Sequence, residues 1–208
     1  KGIKTFSENS NKTILFHTDA VQATGKLKLD VKDLGVDMLS ISAHKIHGPK
    51  GIGLLYVKKG TELAPLISGG GQENNFRSGT ENVPSIVGLG EAIMFAENER
   101  ESLYKEMQKF QLKFLGGIKK ISSSYNLNGN IASKVPSIIN FSFPNIQGEP
   151  LILGLDFKGI LASSGSACSS ASVEPSHVLT SMGLSRDDAV GSLRLSMGRK
   201  TTKKDVEL

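Results

Sequence analysis

The chain has one cysteine among its 208 residues. A single thiol has no partner for an intramolecular disulfide and cannot build a multi-cysteine metal site. It also points towards a reducing compartment. No apolar run approaches the ~20 residues that a helix needs to span a bilayer. The polar opening KGIKTFSENS lacks the apolar stretch of a secretory signal. The expectation is a soluble protein that acts away from membranes.

A large excess of one charge sign is lacking as well. The net charge is +5, and the excess gathers near the end in Arg194, Arg199, Lys200, Lys203 and Lys204. That patch has no interleaved aromatics and no recognisable nucleic-acid module beside it, so a solvated face is the expected reading. The composition is otherwise ordinary. The hydrophobic class is 38%, and with 23 glycines it reaches about half of the chain, as in globular proteins. Whole-chain disorder is excluded, and the length suits one large domain or two modest ones.

Strand and helix signals alternate in the first part. Thr13 to His17 reads as a short strand, Val31 to Leu34 as a connecting segment, and Asp37 to Ser42 as a second strand. A Gly48-Pro49-Lys50-Gly51 turn leads to a third strand over 52–57. These strands are apolar without clean alternation, which predicts a sheet covered on both faces. From Val83 the pattern turns helical. Leu103, Met107, Phe110, Phe114 and Ile118 fall on one face of an amphipathic helix, and Gly116-Gly117 is expected to weaken it. In the last third, Ile139, Phe141 and Phe143 alternate with polar residues, as do Leu193, Leu195 and Met197. The second alternation sets Arg194 and Ser196 on the opposite face. A boundary near Glu97–Arg100 divides the chain into 1–98 and 99–208.

Four clusters carry possible chemistry. Lys45 follows a strand in Ser42-Ala43-His44-Lys45, at the carboxyl end where α/β sheets place ligands. Its amine could attack a carbonyl to form an imine. Alone, Lys45 reads as a surface lysine and His44 as a structural histidine. Asp19, in His17-Thr18-Asp19-Ala20-Val21-Gln22, also ends a strand. Parallel neighbouring strands would bring it to one rim with Lys45, although a helix N-cap is the plain alternative. The third cluster runs from Ser68-Gly69-Gly70-Gly71 to Ser78-Gly79-Thr80, where exposed backbone N–H groups could bind phosphate or simply turn the chain. The fourth surrounds Cys168 with serine, glycine and alanine, a setting that favours a reactive thiol over a buried hydrophobe.

Together and in this order, HTDAVQATGK, SAHKIHGPKGIG, GGGQENNFRSGTEN, SSGSACSSASVEPSHVL and GSLRLSMGRKTTKKDVE resemble the signatures of the cysteine desulfurases. These NifS/IscS-like pyridoxal-phosphate enzymes belong to the class V aminotransferases of fold type I. The resemblance covers nearly the whole chain but only the C-terminal half of the family, whose members are roughly twice as long, as two full domains require. It implies an α/β fold. Residues 1–98 would belong to the large, mainly parallel cofactor-binding domain, and 99–208 would form a smaller α+β domain carrying the cysteine.

It also implies roles. Lys45 would hold pyridoxal 5'-phosphate covalently and shuttle the substrate's α-proton. Asp19 would face the pyridinium nitrogen, Gln22 the phenolic oxygen, and Ser42 and His44 the phosphate. Thr80 would reach the phosphate of the partner subunit in a homodimer, and Arg194 would clamp the substrate carboxylate. Cys168 would take sulfur from L-cysteine as a persulfide, leave alanine, and pass the sulfur to an iron–sulfur scaffold or other acceptor. No metal is implied. A cytoplasmic home is expected, or an organelle matrix in a eukaryote. The absent half would supply a ring-stacking residue, another ring hydrogen bond and a phosphate loop. The rival readings are a selenocysteine lyase or other class V enzyme, and an inactive fragment that dimerises or binds a partner.

Overall fold

The computed structural model describes residues 2–10, 12–121, 124–164 and 175–208. The chain divides into two compact units, Lys1–Glu101 and Ser102–Leu208.

The first unit opens with helix α1 (Gly2–Ser10) and contains the three-stranded sheet β1 (His17–Asp19), β2 (Met38–Ser42) and β3 (Gly53–Val57), in that order. β1 runs parallel to β2, with Asp19 opposite Ser40, whereas β3 returns antiparallel to β2. The first strand begins later than its apolar run suggests. Residues 13–15 are exposed, and the parallel ladder starts only where His17 meets Met38. Asp37 explains the offset: its carboxylate accepts the Phe16 N–H at 3.0 Å, so this residue fastens the strand's entry instead of extending β2. β3 is exposed over Gly53, Leu54 and Leu55. Its apolar run is therefore covered less completely than a strand buried on both faces.

Between β1 and β2 lies the short helix α2 (Val31–Leu34). The Asp30 carboxylate caps it by accepting from the Lys32 and Asp33 N–H groups, and those donors hold its pKa below the usual aspartate value. Gly35 ends the helix at φ 66°, a left-handed conformation that glycine adopts without steric cost. Ala20, Val36 and Leu39 form one core cluster against Phe16, Leu29 and Tyr56. Ala43, Ile46 and Leu89 form another, against Ile52, Ala92, Ile93 and Ala96. The second cluster joins the turn after β2 to the first part of helix α3 (Val83–Ile121).

The second unit contains the remainder of α3 and an antiparallel sheet of β4 (Asn126–Leu127), β5 (Ile138–Ser142) and β6 (Ser192–Ser196). Its short helices are α4 (Gly148–Asp156), α5 (His177–Ser181), α6 (Arg186–Val190) and α7 (Lys203–Glu207). Met107 and Phe110 are buried, with Leu103, Phe114 and Ile118 half-buried, as the helical spacing predicts. The helix nevertheless runs through Gly116-Gly117 to Ile121. Two glycines cost about 2 kcal/mol relative to alanine, and burial of the flanking apolar face outweighs that.

Phe141 lies at the centre of this unit. It is fully buried, with ring centroids 5.7 Å from Phe114, 5.5 Å from Tyr125 and 6.2 Å from Phe143. Phe141→Ala is expected to destabilise the unit by about 3–5 kcal/mol, the usual cost of a large buried aromatic and its cavity. Denaturant unfolding checks this, and a loss below about 1 kcal/mol would mean that the site collapses freely. Polar groups in the same layer are mostly paired. Asn128 donates to the Asn140 side-chain oxygen at 2.6 Å and to Ser142 Oγ at 2.8 Å. Gln111 Nε2 and Ser137 Oγ are buried without a hydrogen-bond partner among the described residues.

Candidate active site

Two of the sequence clusters meet at the carboxyl ends of β1 and β2. Asp19 is the last residue of β1, and the next residue continues the ladder through Ala20 N–H to the Ser40 carbonyl at 2.9 Å. The chain then turns sharply. Ala20 is buried and its carbonyl accepts three times, from the Ala23 and Thr24 N–H groups and from Thr24 Oγ1. Gly25 completes the turn at φ 69°, and a Cβ there would stand 2.8 Å from the Ala96 Cβ. Both the left-handed backbone and the close helix therefore require glycine. Asp19 Oδ1 accepts the Val21 N–H at 2.9 Å. This is the local capping role expected of a strand-end aspartate, and it leaves Oδ2 without a hydrogen bond among the described residues. Gln22 projects from the turn, exposed.

One strand over, the chain leaves β2 through a 3₁₀ turn over Ala43–Ile46. Two residues of this turn are anchored: Ala43 is fully buried and Ile46 is 7% exposed. His44 and Lys45, between them, face outward. The backbone is tied at both ends, by the Ala43 N–H to the Ile52 carbonyl at 3.1 Å and by the Gly48 N–H to the Ala43 carbonyl at 2.9 Å. A Cβ on Gly48 would lie 3.0 Å from the methyl groups of Ala43 and Ala92. The turn is thus clamped against α3 with no spare volume. Ser42 Oγ and His44 Nδ1 share a hydrogen bond of 2.8 Å, so a hydroxyl and an imidazole are paired beside the exposed amine of Lys45.

Sequence reasoning did not single out Lys26. Its Nζ donates to Gln22 Oε1 at 2.9 Å. Burial, followed by the charge of Lys45, holds its proton affinity below that of an ordinary lysine. The Gln-x-x-x-Lys spacing was the available signal, since residues four apart in a helical turn share a face.

Thr80 stands on a separate loop of the same unit, exposed. The loop is tied to itself: Ser78 Oγ donates to the Gly70 carbonyl at 2.7 Å, and Gly79 N–H to Gln72 Oε1 at 3.2 Å. Glu73, Asn74 and Asn75 all take positive φ, so the segment is a folded structure and more than a flexible glycine connector.

In the second unit Arg194 occupies the middle of β6, opposite Asn140 of β5. Its other edge is also used. The Arg194 N–H donates to the Ser163 carbonyl at 2.6 Å, and the Ser163 N–H returns to the Arg194 carbonyl at 3.1 Å. Ser192 Oγ, fully buried, donates to the Ser164 carbonyl at 2.9 Å. The stem that leads towards Cys168 is therefore bonded to the strand that carries Arg194. Cys168 itself lies outside the described residues. Asp19, Gln22, Ser42, His44, Lys45 and Thr80 belong to the first unit, and Cys168 and Arg194 to the second.

Among the described residues no group of three or more His, Cys, Asp or Glu side chains could hold a metal, and no helix is long and apolar enough to cross a membrane. The family model for aminotransferase class-V matches residues 2–208. A curated cysteine desulfurase IscS from Dictyoglomus turgidum is 49% identical over 193 residues, which are 93% of this chain and 49% of that protein. The chain thus spans about half the length of the curated relatives it matches. Among solved structures, a NifS-like protein superposes with a TM-score of 0.86 at 37% identity, over 99% of this chain and 52% of that one. SspA in complex with cysteine gives 0.71 at 37% identity, over 94% and 53%.

Proposed function

The chain belongs to the class-V aminotransferase family, and from that premise we propose that the whole protein is a pyridoxal-phosphate-dependent cysteine desulfurase. One arrangement carries the reading: a carboxylate, Asp19, and an amine, Lys45, at the carboxyl ends of adjacent parallel strands. A relative solved in complex with cysteine supports the substrate. Residues 1–98 would complete the cofactor-binding domain with the rest of the protein, and 99–208 would form the small domain.

The donor set suits pyridoxal phosphate. When bound, the cofactor supplies an electron sink for cleavage next to the substrate's α-carbon. Lys45 would hold it and carry the α-proton. Asp19, with Oδ2 open, would keep the pyridinium nitrogen protonated. Ser42 and His44 would donate to the phosphate, and Thr80 would reach the partner subunit's phosphate in a homodimer. Arg194 would hold the substrate carboxylate. The thiolate of Cys168 would attack the substrate sulfur as the carbon–sulfur bond breaks. A persulfide then remains on Cys168 and alanine is released, its new proton delivered by the enzyme. The persulfide sulfur would pass to an iron–sulfur scaffold or another acceptor, in the cytoplasm.

The test is to incubate the whole protein with pyridoxal phosphate and L-cysteine, then measure alanine and the mass of the peptide containing Cys168. The expected outcome is alanine together with a gain of one sulfur atom on that peptide. Turnover of L-selenocysteine with no alanine from L-cysteine would instead make the protein a selenocysteine lyase. Silence with both substrates would leave a non-catalytic binding role.

A further inference from the structure

We propose that Lys26 is a positioning residue that sets the hydrogen-bonding sense of Gln22, so that the amide nitrogen is the end offered to the phenolic oxygen of pyridoxal phosphate. The inference rests on the reading of Gln22 as a cofactor contact. A primary amide has an acceptor end and a donor end that exchange by a half-turn, whereas an ammonium can only donate. The 2.9 Å contact from Lys26 Nζ is therefore a hydrogen bond only when it meets the oxygen. With Oε1 occupied, the remaining end of Gln22 is its NH₂ group. An ionised phenolic oxygen accepts hydrogen bonds and donates none, so it requires that end.

The turn keeps the pair in place. Residues 20–24 are wound on the buried Ala20 carbonyl, the Lys26 N–H donates to the Ala23 carbonyl at 3.0 Å, and Gly25 is pressed against Ala96 of α3. Burial and the nearby charge of Lys45 both lower the proton affinity of Lys26, and its Nζ donates to the Gln22 oxygen. A purely structural role is small, because one hydrogen bond adds only a modest net amount to stability.

The experiment uses the whole protein loaded with pyridoxal phosphate. It reads the wavelength of the bound cofactor's visible band and the cofactor dissociation constant for Lys26→Met, Lys26→Arg, Gln22→Met and the Gln22→Met/Lys26→Met pair. Lys26→Met is expected to move the band in the same direction as Gln22→Met and to weaken cofactor binding about three- to tenfold, the worth of one hydrogen bond. Lys26→Arg, which keeps a cationic donor, is expected to stay near the native values, and the pair to go no further than Gln22→Met alone. A native band and affinity in Lys26→Met, with Gln22→Met displaced, would overturn the role of Lys26 and leave that of Gln22 standing. An unmoved band in Gln22→Met would overturn both. Full additivity in the pair would show two independent residues and defeat the proposal. So would Lys26→Arg and Lys26→Met giving equal displacement with equal lowering of the melting temperature, which is the signature of a structural role.

Discussion

Lys45→Ala in the whole protein is expected to abolish covalent attachment of pyridoxal phosphate and to cut alanine formation from L-cysteine by about 10³-fold or more. The proton transfer alone accounts for roughly 10²–10⁴ in such systems, and the covalent anchor adds to it. The turn should survive the change. Its shape depends on Ala43 and Ile46, which are buried, and on backbone hydrogen bonds, whereas Lys45 faces outward. The melting temperature of the cofactor-free protein should therefore hardly move. Lys26 is close enough for its charge to feel Lys45, but its Nζ is engaged by Gln22, so it should not substitute. Absorption spectra after gel filtration, with mass spectrometry following reductive trapping, would check the attachment. Cofactor still bonded to Lys45→Ala would remove this lysine from its assigned role.

Cys168→Ser should separate the two halves of the reaction. The cofactor should bind as in the parent protein, because Cys168 is assigned to sulfur transfer and not to cofactor binding. Sulfur labelling of the chain should vanish, and alanine formation should fall by up to about 10⁶-fold, as when a nucleophile is removed. A serine hydroxyl stays protonated near neutral pH, whereas a thiol with a pKa of ~8.5 is partly ionised and is the better nucleophile. Cys168 is the only cysteine in these 208 residues, so no neighbouring thiol of this chain can take over. Radiolabelled cysteine and peptide mapping give the measurement. Native transfer of labelled sulfur by Cys168→Ser would exclude this residue as the acceptor.

Periodicity and motif order made much of this legible. The spacing of Leu103, Met107, Phe110, Phe114 and Ile118 specifies one helical face because a helix repeats every 3.6 residues. The same reasoning stops short at Gly116-Gly117, where local propensity yields to packing around Phe114 and Ile118. The first strand is misplaced for a different reason. Residues 13–15 are apolar enough for a strand, but a strand needs a neighbour, and β2 does not begin until Met38. Pairing between positions distant in sequence leaves no pattern in either segment. The Ser163–Arg194 bridge is a second example. In the site, the strand-end positions of Asp19 and Lys45 could be read from apolar runs followed by polar residues. Lys26 was legible only through its four-residue spacing from Gln22, because a lysine in a polar turn otherwise looks like any solvated one.

The clamp around the Lys45 turn has a further consequence. Gly48 has room for a hydrogen atom and no more between Ala43 and Ala92, as Gly25 has against Ala96. The methyl groups of α3 therefore work as shims that set the height of the Lys45 turn above the helix. Reacting groups tolerate displacements of only about 0.5 Å, less than the thickness of one added carbon. The geometric tolerance of the Lys45 turn would then be held by small side chains, at positions 92 and 96, to which no role in binding or chemistry is assigned. Variation there would alter turnover while every residue that meets substrate stayed the same.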